Sequence, residues 1–279
     1  MRALSPLLLF LVLVVVLCGL IDGTIIVLGF NGALVTASMW SVGVSAMLAL
    51  KLTGHSLTEL GWGWGPAKFH LIALALPVIY GALGYTAAAL WGQAHFLEAD
   101  RVAALAHAGP FARLADPLPL FGVLFVLVTA GMVQSMSTAL GEEIGWRGFL
   151  APRLIAVRGF AIGTLVTGAI WAVWHVPIIV GSGYNGGGDM RFELLSFVVG
   201  VVSMSAALSW LRLRSGSLWP CATMHASHNL FIQNVFDPLS TRGPSHVTMV
   251  GEFGIVFAAA VLVVSIPFWI MGSRNPKPA

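Results

Sequence analysis

The segment GEEIGWRGFL, at positions 141–150, holds three ionisable side chains directly after a strongly apolar run. Only 9% of the chain is charged, and an ionisable group at membrane depth costs about 2.5–3.5 kcal/mol on insertion scales, so it is read as functional by default. In a helix, Glu143 and Arg147 lie one turn apart with the acid first, which favours an ion pair. Adjacent residues point about 100° apart, so Glu142 is left to face another partner. The structural alternative is a salt-bridge cluster at the membrane surface.

Two further polar groups lie inside apolar segments. WAVWH places Trp171 and His175 four residues apart, and HASHN does the same for His225 and Asn229, so each pair shares a helix face. A single histidine in an apolar helix is more often packed and hydrogen-bonded than catalytic, and we assign that structural role to His228. Three clusters at one depth are much less expected by accident than any single cluster.

The composition indicates the class of protein. Of the 279 residues, 58% are hydrophobic, the mean hydropathy is +0.90, and continuous apolar runs recur along the chain. We therefore predict an all-α polytopic membrane helix bundle of about eight transmembrane helices, with the active site inside the bundle. A net charge of +3 is not a nucleic-acid signature, and Cys18 and Cys221 form neither a CxxC motif nor a disulfide framework.

The apolar runs predict where the eight spans lie. The first two share residues 6–50, with the turn at either Asp22-Gly23 or Asn31-Gly32, a choice that the sequence leaves open. An amphipathic interfacial helix is expected near residues 95–107. The other spans are predicted at about 69–91, from 118 into the Glu142 cluster, and at 160–180, 192–211, 218–236 and 254–271. We divide the chain into residues 1–117 (helices one to three and the interfacial segment), 118–236 (a core of helices four to seven) and 237–279 (the last helix and a short tail).

The positions of the basic residues predict the orientation in the membrane. With both termini on one side, that side carries ten Lys and Arg and the other carries four, which together account for all 14. The positive-inside rule then predicts a multi-pass protein of the cell membrane with cytoplasmic N- and C-termini.

Helix lengths place the polar groups at similar depths. Glu142 and His175 lie 15 and 18 residues from the turn that joins spans four and five, and His225 and Asn229 lie 11 and 15 residues from the turn before span seven. At 1.5 Å per residue these separations are roughly 16 to 27 Å. We expect the four side chains to meet in a cavity that opens toward the cytoplasmic side.

A carboxylate, two imidazoles and an amide in such a cavity suit hydrolysis. The carboxylate can take a proton from water as a general base, and an imidazole can orient that water or relay the proton. A second imidazole and an amide N–H can stabilise an oxyanion. Alternatively, Glu142, His175 and His225 could bind Zn²⁺ and leave a position for water, although no HExxH motif is present. A proton-coupled transporter could use the same three residues as a relay, but no inverted repeat is visible.

The three motifs together resemble those of the CPBP family of intramembrane proteases, also called the type II CAAX prenyl endopeptidase or ABI family. Its motifs EExxxR, aromatic-x-x-x-H and HxxxN read here EEIGWR, WAVWH and HASHN, in the same order. The resemblance covers about residues 118–236. One departure is Trp171, where the family usually has Phe.

The resemblance implies an intramembrane endopeptidase acting on a membrane-anchored peptide or protein, with a CAAX-like C-terminal tail as one substrate class. It implies that Glu142 and His175 activate water and that His225 and Asn229 hold the oxyanion, or that His225 is a metal ligand. The family is described with both a metalloprotease and a metal-free glutamate mechanism, so the expected cofactor is Zn²⁺ or none. A non-catalytic immunity or scaffold protein of the same family is the alternative. The orienting residues are Glu143, Arg147 and Trp171.

Overall fold

The computed structural model describes residues 5–106, 120–242 and 248–274, which form a bundle of helices. A 3₁₀ turn spans Leu57–Leu60, and π-helical segments span Leu127–Gly131, Ile144–Leu150 and Asn229–Phe236. The helices are α1 Pro6–Leu28, α2 Gly32–Leu52, α3 Ala67–Leu90, α4 Ala99–Ala106, α5 Leu120–Val126, α6 Met132–Glu143, α7 Ala151–Gly181, α8 Met190–Ser215, α9 Trp219–His228 and α10 Ile255–Arg274. The strands are β1 Ala94–Phe96 and β2 Ser240–Arg242.

The helix inventory confirms the predicted all-α membrane bundle. Among the described residues, six helical stretches are long and apolar enough to cross a membrane. One of them is the 58-residue stretch Leu124–Gly181, which contains two predicted spans because its backbone leaves helical geometry at Gly159 (φ 76°). The α9 helix and the π segment that follows it, Trp219–Phe236, form the remaining predicted span.

The reversal at Gly159 sets the geometry of the core. Its positive φ is readily adopted by glycine and disfavoured for other residues. After the reversal the chain packs closely against the preceding helix. At Gly163 the approach is so close that a Cβ would lie only 2.6 Å from the backbone nitrogen of Ile155. The first and second motifs are therefore carried by the two arms of one bent helical stretch.

The first turn lies at Asn31-Gly32, which resolves the choice that the sequence left open. Asn31 is the N-cap of α2, and its side-chain oxygen accepts a hydrogen bond from the backbone N–H of Ala33 at 2.9 Å. Asp22 instead lies inside α1, where it is 4% exposed and accepts a 2.6 Å hydrogen bond from Ser38.

Two π-helical segments adjoin the motifs, and the sequence analysis had expected uninterrupted α-helices there. Ile144–Leu150 directly follows Glu143, and Asn229–Phe236 begins at the last residue of the third motif. A π-helix pairs each residue with the fifth one along, is rare, and occurs frequently at functional sites. A π-helical segment does not have the α-helical rise of 1.5 Å per residue. The depths of the polar residues calculated from the sequence therefore shift where these segments occur.

The predicted interfacial helix is shorter than expected. Residues 94–96 form β1, which pairs antiparallel with β2, and the helical part described there is α4. Residue 107, the far end of the predicted helix, lies outside the described residues.

The two ends of the bundle differ in what they carry. The start of α1, the connection from α2 to α3, the turn at Gly159 and the end of α10 lie at what we call the termini end, where Arg153 pairs with Glu59 at 2.5 Å. The connections at 29–31, 91–98 and 182–189, with the described parts 237–242 and 248–254 of the last connection, lie at the opposite end, which we call the loop end. There Phe30 stacks on Tyr184, with ring centroids 5.7 Å apart.

Candidate active site

A cavity of about 510 Å³ lies inside the bundle, and all four predicted catalytic side chains line it. They come from α6, α7 and α9 with its following π segment, so the three motifs meet although they are distant in sequence. The predicted orienting residue Trp171 lines the same cavity, whereas Glu143 and Arg147 lie behind its wall and are fully buried. The four are Glu142, His175, His225 and Asn229.

Glu142 is held by two indole N–H groups. Its Oε2 accepts a hydrogen bond of 2.6 Å from Trp171 Nε1 and one of 3.2 Å from Trp146 Nε1. The carboxylate is 1% exposed, yet it lines the cavity. The sequence analysis missed Trp146, although its place four residues after Glu142 on the same helix face was a signal that could have revealed it.

The predicted ion pair between Glu143 and Arg147 is present and completely buried. Arg147 Nη1 lies 2.8 Å from Glu143 Oε1, and both side chains are 0% exposed. Arg147 Nη2 donates to the Ser205 hydroxyl at 2.9 Å, and its guanidinium carbon lies 4.1 Å from the centroid of the Trp171 ring. These contacts join the first motif to α8 and to the second motif.

Hydrogen bonds determine which nitrogen of each imidazole faces the cavity. His175 Nδ1 donates to the carbonyl oxygen of Trp171 at 2.9 Å, and His225 Nδ1 donates to Glu143 Oε1 at 3.0 Å. Both partners can only accept, so Nδ1 carries a proton in each ring. In both histidines, Nε2 is then the ring atom left for a water molecule or a substrate.

Trp171 contacts the carboxylate and both imidazoles of the site. Besides donating to Glu142, its ring lies 5.3 Å from that of His225 and 6.1 Å from that of His175, centroid to centroid. A phenylalanine would keep these ring contacts but could not donate to Glu142. The tryptophan therefore adds a hydrogen bond to the carboxylate as well as bulk.

Comparison with known proteins finds similarity over the segment that carries the three motifs. A family model described as type II CAAX prenyl endopeptidase Rce1-like matches residues 117–231. Residues 117–231 are therefore similar to the CPBP family, in the segment that carries all three motifs. A curated relative, CAAX prenyl protease 2 of Methanococcus maripaludis, is 27% identical over 116 residues. That alignment covers 38% of this chain and 36% of the relative, so the chain spans about a third of the length of the curated relative it matches. Together with the six candidate spans, this similarity indicates a multi-pass membrane protein.

The cavity does not present the predicted zinc ligands in a metal-binding arrangement. Among the described residues, no group of three His, Cys, Asp or Glu side chains is placed to hold a metal ion. This includes Glu142, His175 and His225, the three ligands that the sequence predicted. We therefore derive no step through zinc from this geometry.

The direction of the cavity corrects one prediction. From the site it extends toward the loop end, where Phe30, Tyr184, Pro238 and Glu252 line it. Of the described residues, none from the connections 53–66 or 216–218 at the termini end lines it. The sequence placed the termini and the cavity opening together on the cytoplasmic side, but the cavity extends away from the termini end. The tightly packed π segment Ile144–Leu150, whose residues are all buried, fills that end.

Proposed function

We propose that this chain is an intramembrane endopeptidase that hydrolyses a peptide bond of a membrane-associated substrate. The observation that supports it best is that one carboxylate, two imidazoles and one amide line a single cavity inside an apolar bundle. These side chains all belong to the segment 117–231, which matches the family model. The curated relative is named a CAAX prenyl protease, which favours a prenylated C-terminal tail as substrate. Apolar cavity residues on α8 and α10, including Met204, Val201 and Val261, would accommodate such an apolar group.

In this scheme, Glu142 and His175 activate the attacking water. Glu142 takes one proton from the water as its oxygen attacks the carbonyl carbon, and His175 orients the water through Nε2. The tetrahedral intermediate collapses when the C–N bond breaks and the proton held by Glu142 passes to the leaving amine. The products are a carboxylate and an amine, and the site returns to its starting protonation state after the new acid releases its proton.

His225 and Asn229 stabilise the oxyanion in this proposal. The Asn229 side-chain N–H can donate directly. Because Nδ1 of His225 donates to Glu143, the ring can donate to an oxyanion only when Nε2 is also protonated. The adjacent Glu143 carboxylate supports that charged form. Removing one donor to an oxyanion typically costs 10²- to 10³-fold in kcat.

A comparison of membrane proteomes tests the function without knowledge of the substrate. Cells producing the wild-type chain are compared with cells producing Glu142→Ala or His175→Ala at equal abundance. We expect peptides with new termini near predicted membrane segments in the wild type and their loss in both variants. Cleavage products that persist in both variants would contradict the assignment.

Trp171→Phe tests the hydrogen bond to the proposed base. A hydrogen bond to a charged group contributes roughly 1.5–3 kcal/mol, which corresponds to about a ten-fold or larger change in rate. We expect Trp171→Phe to lower kcat by about ten-fold, with little change in KM, because the ring and its packing remain. Trp174→Phe is the matched control, since Trp174 lines the same cavity without donating to Glu142. Equal kcat values for the two variants would show that the indole N–H does not act on Glu142.

The orientation of the cavity is tested by labelling single cysteines in intact cells. Both native cysteines are buried, so background reaction is low. Ser273→Cys marks the termini end and Asp100→Cys marks the loop end. If the termini are cytoplasmic, a membrane-impermeant maleimide should label Asp100→Cys and leave Ser273→Cys unreacted. The cavity then faces away from the cytoplasm, whereas the reverse labelling would place the cavity mouth and a cytosolic substrate on the same side.

A further inference from the structure

A second carboxylate–imidazole pair lies beside the motif residues and belongs to none of the three motifs. Nε2 of His228 lies 2.9 Å from Oε1 of Glu252, and its Nδ1 lies 2.7 Å from the hydroxyl of Tyr80 on α3. Glu252 comes from the segment 248–254, which precedes α10. His228 and Glu252 both line the cavity that holds the candidate active site. His228 is thus hydrogen-bonded, as the sequence analysis expected, but it also faces the site.

The partners of His228 restrain its ring from both sides. Burial alone would raise the pKa of the Glu252 carboxyl, but the hydrogen bonds and charge of its neighbours, chiefly His228, lower it to about 2. Glu252 is therefore ionised near neutral pH and can only accept, so Nε2 of His228 carries a proton. Nδ1 of the same ring lies within hydrogen-bonding distance of the Tyr80 hydroxyl, at 2.7 Å. With both ring nitrogens engaged, His228 has one preferred orientation.

The same carboxylate oxygen holds the helix on both sides of Asn229. Oε1 of Glu252 accepts from Nε2 of His228 and from Nε2 of Gln233, each at 2.9 Å. His228 is the last residue of α9, and Gln233 lies within the π segment that begins at Asn229. Asn229 is therefore the junction between α- and π-helical geometry, and Glu252 ties the residues before and after it together. No local sequence preference demands a π segment at this point.

A second buried carboxylate at the loop end provides a comparison. Glu193 accepts hydrogen bonds from the backbone N–H groups of Gly186 and Gly188 and from the hydroxyl of Thr248. It connects the two loops of that end, as Glu252 also does by accepting from Tyr184. In contrast to Glu252, it has no hydrogen bond, among the residues that the structure describes, to the helix that carries Asn229. If Glu252 served only to anchor loops, replacing it should have the same effect as replacing Glu193.

We propose that Glu252 and His228 are positioning residues for Asn229. They hold the α-to-π junction so that Asn229, which lines the cavity, keeps its amide available to the reaction, and they act on the reaction only through that amide. The expected effect on the reaction rate rests on the proposed peptidase function. The expected stabilisation of the helix around Asn229 does not. It adds a residue from outside the matched segment 117–231, namely Glu252, to the functional unit.

A double-mutant cycle tests the effect on rate. Glu252→Gln keeps an accepting oxygen but removes the charge that strengthens the hydrogen bonds from His228 and Gln233, so the junction should be held more loosely. Misplacing a reacting group by about 1 Å can cost roughly 10²-fold, so we expect Glu252→Gln to lower kcat by about 10- to 100-fold with KM nearly unchanged. Glu193→Gln should keep wild-type kcat. In an Asn229→Ala background, Glu252→Gln should cost less than about two-fold, because coupled residues are not additive. An equal loss in both backgrounds, or an equal loss from Glu193→Gln, would overturn the assignment.

Substitution of the imidazole separates hydrogen bonding from packing. His228→Gln keeps an N–H donor for Glu252, whereas His228→Phe keeps a ring and removes the donor. We expect the glutamine variant to retain at least ten-fold more activity than the phenylalanine variant. Equal activities of the two variants would contradict a positioning role that depends on the hydrogen bond to Glu252.

Amide hydrogen exchange tests the helix itself, without any activity measurement. We expect exchange in the peptide covering 229–236 to be at least ten-fold faster in Glu252→Gln than in the wild type or in Glu193→Gln. Unchanged exchange in this peptide would overturn the proposal whatever the activity. If the wild type and Glu142→Gln both fail to cleave any substrate, the peptidase proposal fails, and faster exchange in Glu252→Gln would still support the positioning of Asn229.

Discussion

Replacing Glu142 with glutamine is expected to lower the cleavage rate of the purified protein by about 10²- to 10⁴-fold, the usual contribution of a general base. Glutamine has nearly the same size and keeps an oxygen that can accept from Trp146 and Trp171. The fold should therefore survive while proton abstraction from water is lost. The measurement is kcat/KM on a substrate identified in the proteome comparison, together with the yield of monodisperse protein.

The control for this prediction is Glu98→Gln, which makes the same chemical change at an exposed carboxylate. It should keep wild-type activity. Because residues that act as a unit are not additive, the double variant Glu142→Gln with His175→Ala should be little slower than the slower single variant. A non-catalytic scaffold would tolerate Glu142→Gln in every assay, so wild-type function of that variant would support the scaffold alternative.

The largest effect on stability is expected from removing one partner of the buried ion pair. Both Glu143 and Arg147 are 0% exposed, so Arg147→Met would leave the Glu143 carboxylate buried with His225 as its remaining partner. Breaking a buried pair in this way costs about 3–5 kcal/mol. We expect a marked fall in the apparent melting temperature in detergent and in the yield of folded protein.

Arg153→Met is a matched control for that variant. Arg153 also pairs with a glutamate, Glu59, and also lies over an aromatic ring, that of Phe149, at 4.0 Å. Its ion pair is partly solvated, with side-chain exposures of 23% and 39%, and pairs of this kind contribute about 0–1 kcal/mol. Comparable losses in Arg153→Met and Arg147→Met would contradict a specific cost of burial.

The double variant Glu143→Gln with Arg147→Met provides a second check. Removing both charges eliminates the unpaired buried carboxylate, so stability should recover in part relative to Arg147→Met alone. Activity should remain low, because glutamine at position 143 could no longer favour a protonated His225. A double variant less stable than Arg147→Met would contradict the explanation by unpaired charge.

The sequence by itself was sufficient for the class of fold and for the pairs of polar residues that share a helix face. Long apolar runs are a local signal, because any segment that crosses the lipid must be apolar along its own length. The Glu143–Arg147 pair is local for the same reason, since residues four apart on one helix are neighbours whatever packs around them. The position of the first turn also depends on a local interaction, the capping of α2 by the Asn31 side chain.

Only the tertiary structure decided what surrounds those residues. The two indole donors to Glu142 come from different helical arms, and Glu252 reaches His228 from a separate loop. The cavity runs toward the loop end because the buried π segment occupies the other end. Helical periodicity records where a side chain points on its own helix, but it contains no information about which other helix is opposite. Contacts between elements, and departures from α-helical geometry such as the π segment at Asn229, depend on packing across the whole bundle and were therefore beyond the sequence.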